Sequence, residues 1–301
     1  MTAEIVVVGS ANLDLVVDVE QIPAVGETVM GGDLRRIPGG KGANQAVAAA
    51  RLGRTVAMVG RLGADEGGDI LRTALDDDGV DTSRLLTTDD VPNGVALIAV
   101  GSDGDNAIVV SPGANARVTP DDVGAAADAL HGATATLLQL EIPLDAVIAA
   151  AHAARGTVIL NPAPAPPEPL PADLLAEVDV LVPNQTELAT LAGHDGPVDA
   201  AIAATLAPQL PSRAVVVTLG AEGALVIENG TATHVPAPMV TPVDTTAAGD
   251  SFCGALADAL VRGESLVDAA RWAVRVGAAT TQRPGAQPSL PTPAEVEQLL
   301  A

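Results

Sequence analysis

The sequence predicts an α/β fold: a mostly parallel central sheet with helices on both faces, plus a small separate β-sheet serving as a lid. Three observations carry this. From residue 136 onward, short apolar runs alternate with segments of helical period, the order that parallel strands and crossover helices require. Two extended stretches, about 13–36 and 94–111, do not fit inside such a sheet and predict a lid reached by two excursions of the chain. With 301 residues, 48% of them hydrophobic, the chain can bury one large core, and 1–301 reads as a single domain without internal repeats.

The elements follow in order. Residues 5–8 are a β-branched run ended by Gly9, a buried strand. Residues 15–19 and 27–34 read as extended, joined by the turn-rich "QIPAVG". Residues 42–52 carry Ala46, Val47, Ala50 and Leu52 at helical spacing. A strand at 55–59 and a helix at 70–77 precede the turn "DDGVD". Segments 94–100 and 106–110 alternate around "GSDGD", a hairpin signal. Strands are then expected at 136–139, 158–161, 178–182, 214–218 and 224–228. Helices are expected at 120–130, 144–154, 185–191 and 198–206, and after Gly249 and Leu266. "NPAPAPPEPLP" is short and follows a strand, so it reads as a rigid loop.

Composition narrows the function. Aromatic residues make up 1%, so the core is built from Ala, Val, Leu and Ile. The formal net charge is −23, with no Lys/Arg cluster, which argues against nucleic acid and anionic membrane as partners. No run of about 18 apolar residues exists to span a bilayer. "MTAEIVVVGS" has no basic stretch before its apolar run and reads as a first strand rather than a signal peptide. Cys253 is the only cysteine, and the four histidines are scattered, without zinc-type spacing. A cytoplasmic protein is expected.

Five stretches carry chemistry. In "PVDTTAAGDSFCGALADAL", Phe252, Ala255, Leu256, Ala259 and Leu260 repeat with helical spacing, so a helix starts between Ala248 and Ser251. Its unpaired amides and dipole make an anion site that small side chains at Ala247, Ala248 and Gly249 leave accessible. Asp250 beside such a site is either a helix cap or a base that takes a proton while a phosphoryl group moves. In "PGGKGANQAVAAARLG", Gly39, Gly40 and Gly42 open a helix, Lys41 is the only lysine of the chain, and Asn44 can donate and accept. It is neither a Walker A loop nor G-x-G-x-x-G, and a tight strand-to-helix turn would read the same. "GSANLDLVV" puts Asn12 and Asp14 on one side of an extended chain, suited to sugar hydroxyls. Glu141, and Asn184 and Glu187 in "VPNQTE", follow predicted strands, where open α/β sheets bind ligands; each could instead cap a helix or sit in a loop. "VTLGAEG" ends another strand in glycines, as expected near a nucleotide.

The chain resembles the ribokinase-like (pfkB) family of carbohydrate kinases over essentially its whole length. "GGKGANQAVAAARLG" and "DTTAAGDSF" are similar to the family's two signatures. "NPAPA", "PNQTE", "TLGAEG" and "GAQPS" occur in the family's order. Many members have Gly where this chain has Ala247 or Ala248, and the small-residue requirement is still met. The resemblance implies ATP-dependent phosphorylation of the 5-hydroxyl of ribose, with Asp250 as base and Ala247, Ala248 and Gly249 as anion hole. Asn12, Asp14, Gly39, Gly40, Lys41, Asn44, Glu141 and Asp250 would surround the sugar. Asn184, Thr218, Leu219, Gly220, Ala221, Glu222, Gly223 and Gly249 would hold ATP. Glu187 would act near Mg2+ through water. Asp244, Thr246, Thr280, Arg283, Gly285 and Ser289 would form a monovalent-cation (K+) loop, largely through carbonyls. The resemblance also implies a homodimer formed through the lid. Val274 stands where some relatives place a polar residue near the adenine.

Two rival readings stay open. The same chemistry could serve 2-deoxyribose, fructose or a nucleoside, though Phe252 and Trp272, the only aromatics, offer little stacking surface for a base. A non-catalytic sugar sensor would be marked by loss of the aspartate or of the small residues before it, and neither is lost.

Overall fold

The computed structural model describes residues 2–103 and 105–301. The first half of the chain forms β1 (Ile5–Val8), β2 (Asn12–Val19), β3 (Arg35–Gly39), α1 (Lys41–Arg51), β4 (Val56–Gly63), α2 (Glu66–Asp77), β5 (Asp81–Thr88), β6 (Gly94–Gly101) and β7 (Asn106–Ser111). It continues through α3 (Pro120–Ala125), α4 (Ala127–Gly132), β8 (Ala135–Leu138), α5 (Leu144–Ala153), β9 (Thr157–Leu160), α6 (Ala172–Glu177) and β10 (Val180–Leu181). The last third is α7 (Gln185–Ala192), α8 (Ala200–Leu206), β11 (Ala214–Thr218), β12 (Ala224–Glu228), β13 (Thr231–Val235), α9 (Ala248–Val261), α10 (Leu266–Thr280) and α11 (Pro293–Leu299).

The large sheet runs β13-β12-β11-β10-β9-β8-β1-β4-β5, parallel except for the β11–β12–β13 edge. β1 lies between β8 and β4, and all four of its side chains are buried, as a doubly covered parallel strand requires. Alternation sends Ile5 and Val7 into the core beneath α1, α9 and α10, and Val6 and Val8 into the core beneath α3 to α8. The small sheet runs β3-β2-β6-β7, with β2 parallel to β6 and antiparallel to β3. Only Gly9 to Ala11 separate β1 from β2, so the two sheets meet at the carboxyl end of the central strand. α1 and α9 cross closely because Gly254 faces Ala48: a Cβ there would lie 2.7 Å from the Ala48 Cβ.

Several sequence expectations shift. The second extended segment is Arg35–Gly39 rather than 27–34, whose only pairing is a bridge from Gly31 to Val19. Pro38 hides this strand, and it is tolerated because β3 lies at a sheet edge. β5 was masked by its polar composition, since only Leu85 of its residues is fully buried. β13 was not expected, although Asn229-Gly230, both at positive φ in the turn after β12, carry a hairpin signal. The helix expected over 120–130 breaks at Ala126 into two. The tip "GSDGD" includes Gly104, outside the described residues. No helix among the described residues is long and apolar enough to cross a membrane.

Candidate active site

The start of α9 answers the question raised by Asp250. Ala247, at the N-cap, is in the left-handed region (φ 59°) and makes no side-chain cap bond. Asp250 does not cap the helix either. Its Oδ2 accepts from Asn44 Nδ2 at 2.9 Å and its Oδ1 from Gln45 Nε2 at 3.2 Å, both on α1. Among the described residues, the Gly249 and Asp250 amides donate to no acceptor in the chain. A Cβ on Gly249 would meet nothing within 4 Å, so the helix end opens onto free space. Asp250 is 7% exposed. Burial raises its carboxyl, the Lys41 charge and the two amide donors pull it back, and Glu141 pushes it up; the net shift is upward.

Around Asp250 stand the polar groups that follow β1 and β8. Glu141 Oε2 accepts from Ser10 Oγ at 2.6 Å and from the Lys41 amide at 3.1 Å. Asn12 Oδ1 is held by Asn115 Nδ2 at 2.7 Å, and Asn115 also clamps both backbone groups of Ala11. Asn12 Nδ2 therefore remains as a donor. Asn44 Oδ1 is buried without a partner. Asp14 is 8% exposed, and among the described residues no donor reaches its carboxylate. Burial, then the charges of Glu141 and Asp250, push its carboxyl up to about 7. Three carboxylates and two amides with spare valence thus converge, a set that a polyhydroxyl ligand would complete.

The glycines before α1 answer to protein rather than to ligand. A Cβ on Gly39 would lie 2.4 Å from Asp14 Oδ2, and one on Gly42 2.6 Å from the Ser10 amide nitrogen. Gly40 (φ 89°) sits 2.5 Å, by the same measure, from the Asn12 nitrogen. The strand-to-helix turn is tight because it packs on Ser10 to Asn12, and that packing aims Asn44 and Gln45 at Asp250. Lys41 donates its amide to Glu141 and also lines the neighbouring polar cavity with Asp250. Burial would lower its ammonium, yet Asp250, Glu141 and Glu187 outweigh this and raise it.

Two cavities meet at Thr218, Thr245 and Gly249. The polar one, about 230 Å³, is lined by Lys41, Asn161, Asn184, Glu187, Ala247, Asp250 and Cys253. The apolar one, about 470 Å³, is lined by Gly220, Ala221, Gly223, Met239, Val240, Phe252 and Val274, among others. Ala248 lines the apolar cavity, and Ala247 the polar one. Two expected nucleotide contacts face elsewhere. Leu219, just after β11, is buried in the core on the side of α7 and α8, and Glu222 lines neither cavity, its carbonyl meeting His234 at 2.8 Å. Asn184 and Glu187 form a reciprocal capping box on α7: Asn184 Oδ1 accepts from the Glu187 amide, and Glu187 Oε2 from the Asn184 amide, each at 2.8 Å. That leaves Glu187 Oε1 uncommitted. Burial raises this carboxyl against the Asn184 amide and Lys41.

Asp244 ties two loops together, accepting from the Thr246 amide at 2.9 Å and the Gly285 amide at 2.8 Å. Two expected cation ligands are otherwise engaged. The Thr280 carbonyl accepts from the Arg283 amide, and the Ser289 carbonyl from Arg283 Nη2 at 3.0 Å. The carbonyls of Thr246, Arg283 and Gly285 accept no backbone amide among the described residues. No cluster of three or more His, Cys, Asp or Glu side chains among the described residues could hold a metal ion.

Sequence reasoning missed Ser10, Gln45, Asn115 and Asn161. Gln45 left a signal: a polar residue between Ala43 and Ala46 on a face that is otherwise apolar. Asn115 left none, because it lies in a short 3-10 turn (Gly113–Arg117) and acts through Asn12.

Known proteins resemble this chain over its whole length. The model of the pfkB family carbohydrate kinases matches residues 2–293. The chain is 36% identical to a ribokinase of Staphylococcus aureus, covering 99% of this chain and all of the relative. It is 35% identical to a deoxyribokinase of Salmonella typhi, covering 99% of each. The solved structure of Arabidopsis thaliana ribokinase with ribose and ATP superposes with a TM-score of 0.89 at 36% identity, covering 100% of this chain and 99% of that one. The chain belongs to the pfkB family of carbohydrate kinases.

Proposed function

We propose that the chain transfers the γ-phosphoryl group of ATP to the 5-hydroxyl of D-ribose. The observation that carries this is the convergence of Asp14, Glu141, Asn12 and Asn44 beside an unpaired helix end and a buried carboxylate. Likeness to a ribose- and ATP-bound structure over the whole chain supports it. Deoxyribokinase is nearly as similar, so identity does not choose the acceptor. Asp14 does: a buried carboxylate without donors favours the ligand that brings more hydroxyls.

In this reading Asp250 takes the proton from the 5-hydroxyl as that oxygen attacks the γ-phosphorus in line and the bond to the ADP oxygen breaks. The Gly249 and Asp250 amides and Lys41 face the charge that develops on the transferring group. Positioning supplies much of the rate. The apolar cavity holds the base, and Thr218 and Thr245 lie where it joins the phosphate side. Mg2+ bound with the nucleotide would neutralise phosphate charge. Glu187 Oε1 suits it, since this ion takes few protein carboxylates and keeps its waters. Asp244 with the free carbonyls of Thr246, Arg283 and Gly285 is an all-oxygen set suited to K+. The small sheet is proposed as a lid that excludes water. Its outer residues Leu97, Ile108 and Val109 are exposed, and β7 is an unpaired edge, which supports pairing of two copies through it. A cytoplasmic setting belongs to the same proposal.

A coupled ADP-release assay over ribose, 2-deoxyribose, fructose and adenosine, with and without K+, tests this reading. Ribose should exceed 2-deoxyribose in kcat/KM by roughly tenfold or more, the scale of one unpaired buried group. Equal or better turnover of another acceptor would overturn the ribose assignment.

A further inference from the structure

One buried hydrogen-bond chain behind Asp250 has a direction that the base itself imposes. Asp250, as an anion, can only accept, so the Gln45 side chain must present its NH2 to Oδ1, at 3.2 Å. The Gln45 Oε1 then faces away and needs a donor, and Gln139 Nε2 supplies one at 2.7 Å. This turns the Gln139 Oε1 into a buried acceptor with no partner. Gln45 and Gln139 are both wholly buried, so neither amide can turn to water. An unpaired buried acceptor costs stability, and reversing both amides would aim the Gln45 oxygen at the carboxylate, a worse arrangement. Asn161 Oδ1 takes the second Gln45 proton at 3.3 Å, and Asn161 is itself fixed by donating to the Val182 carbonyl.

We infer that Gln45, oriented by Gln139, is a positioning residue that keeps the catalytic carboxylate of Asp250 ionised and turned toward the acceptor hydroxyl. This rests on the reading of Asp250 as base. Asn44 holds the other oxygen, so the two amides together hold both oxygens of the carboxylate. The charged groups facing Asp250 are Lys41 on α1, Glu141 beyond β8, Glu187 on α7 and Asp14 on β2, with the Cys253 thiol on α9. None of them hydrogen-bonds to the Gln45 amide. Replacing Gln45 therefore removes a donor while leaving the surrounding charges in place. Loss of a donor to the charged form disfavours that form and raises the pKa of the base.

The test is kcat against pH at saturating ribose and ATP, where Asp14 is already paired with sugar and kcat reports groups of the ternary complex. Gln45→Met keeps an unbranched apolar chain of similar length. It should move the acid limb of kcat up by about one pH unit and leave the alkaline plateau within a few-fold of wild type. Gln139→Met should shift the limb in the same direction by less. The double variant should match Gln45→Met alone, because Gln139 acts through Gln45. An unmoved limb, whether or not kcat falls uniformly, would overturn the inference and leave Gln45 as packing. Additive shifts in the double variant would overturn the role of Gln139. If Gln45→Met fails to fold, Gln139→Met, at the far end of the chain, still gives a limb that moves or does not. An Asp250→Asn protein with near-normal kcat would instead remove the base assignment itself, a failure distinct from the others.

Discussion

Asp14→Asn should make the ligand-free protein more stable in alkali while depriving it of sugar. The Asp14 carboxyl is raised from 3.8 to about 7 by burial and by Glu141 and Asp250. A raised carboxyl costs nothing below its unfolded value, and its contribution is lost as pH rises through the folded value. The shift is roughly three units, so ionised Asp14 costs the fold about 4 kcal/mol above pH 7 and nothing below about pH 4. Asparagine has nearly the same shape and does not titrate. The stability difference, variant minus wild type, should therefore grow by about 2 kcal/mol between pH 5.5 and 8.5, since part of the cost is already present at the lower value. Urea unfolding at the two pH values, with unchanged m, measures it. Added ribose should stabilise the wild type far more than the variant. A difference that stays flat or shrinks with pH would show that Asp14 is not held as an unpaired carboxylate. Equal stabilisation of both proteins by ribose would remove it from the sugar site.

Three further outcomes follow from packing and chemistry. Asp258 is fully buried and is held by Arg54, Arg262 and the Trp272 indole, so Asp258→Ala should cost about 3–5 kcal/mol, read as a lower Tm with little change in the KM of surviving enzyme. Asn115→Leu should free Asn12 to rotate and raise the KM for sugar by roughly tenfold with the KM for ATP unchanged, measured in the coupled assay. The apolar cavity is lined by Met239, Val240, Val274 and Phe252, its Thr218 and Thr245 sit where it joins the polar cavity, and the Thr281 hydroxyl donates to the Ala278 carbonyl. With no free side chain to read the base edge, GTP should serve within about tenfold of ATP in kcat/KM, whereas a thousandfold preference would reveal base contacts made by the backbone.

The sheet, the helices over it and the small second sheet were legible because apolar period and chain order reflect burial directly. What escaped was set by edges and by turns. β5 is polar except at Leu85 and Leu86 because it is an edge strand with one flank open, and β3 was displaced by the ambiguity of Pro38. In the site, residue types marked the groups that would touch ligand, including Asn12, Asp14, Glu141 and Asp250. The roles of the glycines were not legible. Their spacing looks like a ligand loop, whereas Gly39, Gly40 and Gly42 are demanded by Asp14, Asn12 and Ser10 across a turn that only the fold brings together. Gln45, Gln139 and Asn115 act through other side chains, and pairings over 94 to 205 residues of sequence leave no local pattern.

The central claim is that Asp250 is the base, and the turnover of Asp250→Asn tests it most directly. Asparagine preserves the size of the side chain at the start of α9 but cannot accept the hydroxyl proton. Under saturating ribose, ATP and Mg2+, kcat should fall by at least about a hundredfold, the scale of losing a positioned general base. Ribose binding, followed by calorimetry, should stay within a few-fold, because Asp14, Asn12 and Glu141 remain. A folded Asp250→Asn protein that turns over at near the wild-type rate would contradict the account.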